Sequence, residues 1–82
     1  MTLGERLKQL RTDRAYTLMY LQDIGIELSV SYLSDLERGR TKPSIGALVL
    51  LANVYGMTVQ ELIAPVDFGE RVRQSDPIPF ME

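Results

Sequence analysis

The sequence predicts an all-α domain of five short helices, followed by a tail. Three observations predict it. Apolar residues recur three and four apart through most of residues 3–63, the spacing of one helix face. Capping residues precede each apolar run: Thr2, Thr17, Ser29, Ser44 and Thr58. Gly25, Gly39 and Gly56 follow three of the runs, where a left-handed residue ends a helix. Short connections between short helices give a fold of low contact order.

The first helix opens on a capping box. Thr2 caps it, Glu5 reaches back, and Leu3, Leu7 and Leu10 form a stripe running to about Arg14. Arg6, Lys8, Gln9 and Arg11 fall on the other face. Ala15-Tyr16-Thr17 makes the connection. Thr17 caps a second helix to about Ile24, with Leu18, Leu21 and Ile24 as its stripe and Gly25 as its stop. Ile26-Glu27-Leu28 forms the turn, with Leu28 dropping into the core.

Ser29 caps the third helix. Leu33 and Leu36 bury on one face, which leaves Val30, Ser31, Ser34 and Asp35 largely on others, available to a partner. Gly39 ends this helix. Arg38, Arg40 and Lys42 then place three positive charges within five residues, with no acid among them. Pro43-Ser44 opens the fourth helix, which runs to about Tyr55 with a core stripe of Ile45, Leu48, Leu51, Ala52 and Tyr55. Ala47, Leu50 and Val54 make a second stripe. It either closes the core against helix five or the tail, or forms a self-association surface with Val66 and Phe68. Thr58 and Glu61 make a second capping box for a short fifth helix through Ile63, stopped before Pro65. The domain is therefore set at residues 1–64. Residues 65–82, with Pro65, Pro77 and Pro79 and scattered Phe68, Val72, Ile78 and Phe80, are a docked arm, a disordered end, or the stub of a longer protein.

Composition narrows the function. Eighty-two residues allow one small core that buries only about 60% of its unfolded surface. The sequence has no cysteine and no histidine, which removes disulfides, thiolate metal sites, and the commonest general base and zinc ligand. No acid pair is placed for catalysis, so no enzyme, metal or cofactor is expected. No apolar run reaches the roughly 18 residues of a membrane span, and cytoplasmic residence is the expectation. The net charge is −2 and the pI about 5.0, which argues against nucleic acid as a partner. The distribution reverses that argument. Residues 1–63 hold seven Lys/Arg and seven Asp/Glu, and the acidic surplus lies in the tail. Phosphate contact depends on the local cluster at 38–42.

A short helix with a polar outer face, followed by a basic loop, suits a reader of the DNA major groove. The helix reads bases and the loop holds phosphates. A plain packing helix followed by a solvated loop is the bland reading of the same residues. The run Tyr32-Leu33-Ser34-Asp35-Leu36-Glu37-Arg38-Gly39, with Lys42-Pro43-Ser44 after it, resembles the recognition helix and loop of the helix-turn-helix proteins typified by phage lambda repressor and Cro, the XRE family. The resemblance covers roughly residues 2–63, and within the family it runs toward DdrO-type repressors of the radiation and desiccation response. It implies a lambda-repressor-like fold with helices 2 and 3 as the helix-turn-helix. It also places Val30, Ser31 and Asp35 nearest the bases, with Ser34 beside them, near sugar and phosphate. Thr17, Tyr32, Arg38, Arg40 and Lys42 would then lie on the backbone. Chemically, Val30 can pack on a thymine methyl and Asp35 can accept from a cytosine amino group. Asp35 can equally pair with Arg38 at i+3. In the family a glutamate at position 37 pairs inward with an arginine of helix one, here Arg11.

The sequence departs from the family in three places. One extra residue falls near 25–27, Gln22 replaces a small alanine between helices two and three, and Leu18 replaces a phosphate-contacting glutamine. The expected protein is a sequence-specific regulator of double-stranded DNA, a repressor acting as a homodimer on a palindromic operator. It would be nucleoid-associated, in a bacterium or encoded by a phage. Dimers of this type set their recognition helices about 34 Å apart. Two other readings stay open: an antitoxin-type autorepressor whose tail holds a toxin as protein partner, and a protein-interaction module that has lost DNA binding.

Overall fold

The computed structural model describes residues 1–68. The expectations for Val72, Pro77, Ile78, Pro79 and Phe80 lie outside the described residues. The helices are α1 (Leu3–Asp13), α2 (Leu18–Asp23), α3 (Val30–Glu37), α4 (Ile45–Val54) and α5 (Val59–Ile63), and there is no strand among the described residues. Helix α1 lies against α3 and α5, α2 against α3, and α4 against α5.

All five helices begin on the hydroxyl residue the sequence points to. The side chains of Thr2, Thr17, Ser29, Ser44 and Thr58 each accept from the backbone N–H three residues on, and both capping boxes close. Four helices end alike. At α1 to α4 the second residue past the cap donates back to the third-last helical carbonyl: Tyr16 to Arg11, Ile26 to Leu21, Arg40 to Asp35 and Met57 to Ala52. This termination needs a left-handed residue in between. Gly25, Gly39 and Gly56 supply it three times, with φ of 89°, 75° and 71°. After α1 the residue is Ala15, at φ 57°.

Leu7, Leu10, Leu21, Ile26, Leu33, Leu36, Leu51, Ala52, Tyr55 and Leu62 form one buried cluster. Each large aliphatic side chain fully buried there contributes about 1.5–3 kcal/mol. Gly4, which no periodicity marks, is buried where α1 crosses the end of α3. A methyl group on it would sit 2.8 Å from the Leu36 carbonyl oxygen and against that of Glu37.

The packing corrects several expectations. Ile24 is exposed, Ile26 beyond the glycine is buried, and Leu28 is only half-buried, because the backward bond from Ile26 to the Leu21 carbonyl returns the chain to the core at residue 26. The turn carries a second left-handed residue, Glu27 at φ 65°. Gln22 stays exposed and donates to the Leu28 carbonyl at 3.4 Å. In α4 the phase differs from the expected one: Ile45 is 79% exposed, whereas Ala47 is 2% exposed. Leu50 and Val54 are half-buried and pack on the core, and Ala47 is buried and so is no part of an outer surface. Helix α4 is apolar at nearly every position, so its pattern carries no phase.

Arg6 also turns inward. Its guanidinium donates to the Leu62 and Glu61 carbonyls at 2.8 and 3.2 Å, at the end of α5. Arg14 donates to the Tyr55 carbonyl at 3.1 Å, at the end of α4, and stacks over the Tyr55 ring. The Met1 ammonium group pairs with Asp67 at 3.1 Å, and the Asp67 N–H donates to the Met1 carbonyl at 2.9 Å. This holds residues 66–67 beside the start of α1.

Candidate nucleic-acid interface

Helix α3 is anchored from its inner side. Leu33 and Leu36 are each 2% exposed, which fixes its roll. Ser31 then faces solvent, Val30 and Ser34 are half-buried, and the Asp35 side chain is 41% exposed. This is a polar outward face on a helix held by two leucines.

Orientation is locked at the far end by Arg11. Its Nε and second terminal nitrogen donate to the two Glu37 carboxylate oxygens at 2.8 and 2.9 Å, and its other terminal nitrogen donates to the Tyr16 carbonyl at 2.9 Å. The two side chains are 15% and 10% exposed. The Glu37 hydrogen bonds hold the Arg11 guanidinium above its ordinary pKa, against the opposing effect of burial. One arginine thus ties α1, the connection to α2 and the C-terminus of α3. Bidentate geometry adds direction to the charge attraction.

The backbone-contact candidates divide. Arg38, Arg40 and Lys42 are all exposed, just past α3. Thr17 is exposed, and its hydroxyl oxygen already accepts from the Tyr20 N–H at 3.0 Å, which leaves the hydroxyl hydrogen to donate. Tyr32 is half-buried, packs on the core, and its hydroxyl accepts from the Ser44 N–H at 3.4 Å, so it braces the loop against the start of α4. Asp35 lies 4.0 Å from Arg40, not paired with Arg38: the chain reverses at Gly39 and brings residue 40 back over residue 35. Phe68 is 62% exposed and borders a groove of about 810 Å³ walled by Leu3, Gly4, Leu36, Pro43 and Ile63. No cluster of acids able to hold a metal occurs among the described residues. Gly4, which seats α1 on the end of α3, and Arg6 and Arg14, which tie α1 to α5 and α4, carry no signal in the linear sequence beyond a glycine inside a helix.

Two consecutive helices joined by a tight turn, the second presenting a polar face, define a helix-turn-helix domain of the lambda-repressor type. The family model described as a helix-turn-helix domain matches residues 2–64, and the chain belongs to that family. It is 50% identical over 70 residues to the HTH-type transcriptional regulator DdrOP3 of Deinococcus deserti, covering 83% of this chain and 52% of the relative. It is 38% identical over 63 residues to the immunity repressor protein of Bacillus phage phi105, covering 77% and 43%. It is 35% identical over 72 residues to the uncharacterized HTH-type transcriptional regulator y4dJ of Sinorhizobium fredii, covering 84% and 92%. The chain thus spans about half the length of the first two relatives.

Proposed function

We propose that the chain is a sequence-specific, double-stranded DNA-binding transcriptional regulator that represses by occupying its operator. The observation that carries this reading is the outward face of α3, with Ser31, Ser34 and Asp35 presented beside three exposed cations. Val30, Ser31, Ser34 and Asp35 read base edges, and Arg38, Arg40 and Lys42 hold phosphates. The names of the relatives, a transcriptional regulator and an immunity repressor, point the same way. A module this small makes few base contacts, so a homodimer on a palindromic operator supplies the affinity.

Fluorescence anisotropy on mixed-sequence duplex, from about 50 to 200 mM salt, tests the reading, since each neutralised phosphate adds about −0.9 to the salt slope. Steeply salt-dependent binding, followed by operator selection that returns a palindrome, is the expected result. Flat or absent binding by folded protein would overturn it.

A further inference from the structure

Residues 1–63 carry seven Lys and Arg side chains. Three of them, Arg6, Arg11 and Arg14, are engaged with oxygens at the ends of other helices. The remaining four are Lys8, Arg38, Arg40 and Lys42. Three of these lie at the C-cap of α3 and in the loop after it. The fourth, Lys8, comes from α1.

Lys8 and Arg38 border a shared cleft of about 170 Å³ at the junction of α1, α2 and α3, together with Arg11, Leu18, Ser34 and Glu37. The volume is several times the roughly 30 Å³ share of a water molecule. Glu37 is the one acid in its wall, and Arg11 takes both carboxylate oxygens. Lys8 and Arg38 have no acid within 4.0 Å among the described residues. The cleft therefore presents two uncompensated positive charges and the Ser34 hydroxyl, with Leu18 as an apolar wall. Ser34 belongs to the outward face of α3, so an anion held here lies directly beside the bases that face would read.

We infer that Lys8 and Arg38 form a phosphate-binding cleft, with Ser34 at its rim beside the bases, that grips one backbone phosphate of the DNA duplex alongside α3. The inference rests on the DNA-binding reading above and adds a helix-1 residue to the interface. Lys8 supplies a point charge and Arg38 planar donors, which suits a phosphodiester held from two sides.

The test compares wild type, Lys8→Gln and Lys8→Arg by anisotropy on the same duplexes and salt series, with thermal melting by circular dichroism. One phosphate contact at a slope of 0.9 corresponds to about eightfold in affinity at 0.1 M salt. Lys8→Gln is expected to weaken binding by that factor on every sequence and to flatten the slope by about 0.9. Its melting should be unchanged, and Lys8→Arg should bind like wild type. Wild-type binding with an ordinary slope, matched by Lys8→Gln, would overturn the cleft and leave the DNA reading standing. Altered preference at one base pair without a change in slope would also overturn it. No wild-type binding at all would overturn both.

Discussion

Helix α1 and the segment after α3 hold the same kind of side chain and use it in opposite ways. Arg6 and Arg14 donate to carbonyls at the C-terminal ends of α5 and α4, where unsatisfied carbonyls and the helix dipole favour a cation, and Arg11 grips the Glu37 carboxylate at the end of α3. Arg38, Arg40 and Lys42 flank the Gly39 reversal and stay in solvent. A formal charge count treats these two sets as equal. Their surroundings make the first a set of internal fasteners and the second a free electrostatic surface. Mutation should separate them, the first set acting on stability and the second on binding.

The largest effect is expected from Arg11→Ala. It strands the Glu37 carboxylate in a mostly buried position, at a cost of about 3 kcal/mol. Urea unfolding measures it, and a loss under 1 kcal/mol would mean the pair is solvated and α3 is held by its leucines alone. Next is Gly4→Ala. Its new methyl group meets the Leu36 and Glu37 backbone, so α1 and α3 must part, with a cost of about 2 kcal/mol. An unchanged melting temperature would show that the crossing yields.

Arg40→Ala sharpens the contrast from the other side. Melting should hold, while affinity for all duplex sequences falls by roughly eightfold at 0.1 M salt. Because Arg40 faces Asp35, part of that loss should return in an Asp35→Asn background, where one negative charge is gone from the interface. Unfolding by Arg40→Ala would place it among the fasteners instead.

The smallest effect concerns Tyr55, under Arg14. Its hydroxyl is buried with no hydrogen-bond partner among the described residues, and burial pushes its pKa up from 10.0 to about 12. The unfolded chain therefore releases this proton at lower pH than the folded one. The contribution is fully present below pH 10 and is lost as pH rises toward 12. Tyr55→Phe should raise stability by about 1 kcal/mol at neutral pH and flatten the decline in alkali. A destabilised variant would mean the hydroxyl is satisfied.

The sequence makes the helix starts legible because capping is local chemistry: a hydroxyl and an N–H three residues on. The glycine stops are legible for the same reason. Legibility fails where the partner is not a side chain. The carbonyl ends that take Arg6 and Arg14 have no letter in the sequence, so amphipathicity alone puts Arg6 on the outer face. It fails again in α4, where apolar residues on every side hide which of Ile45 and Ala47 faces in. At the candidate interface, Leu33 and Leu36 make the outward face of α3 readable from spacing. The approach of Arg40 to Asp35 is not, because it crosses a left-handed turn that no helical offset describes. Arg11 and Glu37 stand 26 residues apart, and only the family resemblance brings them together before the structure does.

The tie between Met1 and Asp67 has a topological consequence. The path that begins at Met1 returns to within hydrogen-bond distance of its origin by residue 67, so the five helices lie on a nearly closed loop. A short flexible linker from Asp67 to Met1 would close it, and the exposed Gly25 would offer a new opening. Such a circular permutant would start on Ile26 and carry α3 as its first helix. The contacts between helices would remain available in a different chain order, with the Gly25 turn that seats Ile26 the one local tie given up, so the architecture belongs to the packing of these helices rather than to the sequence in which they are strung.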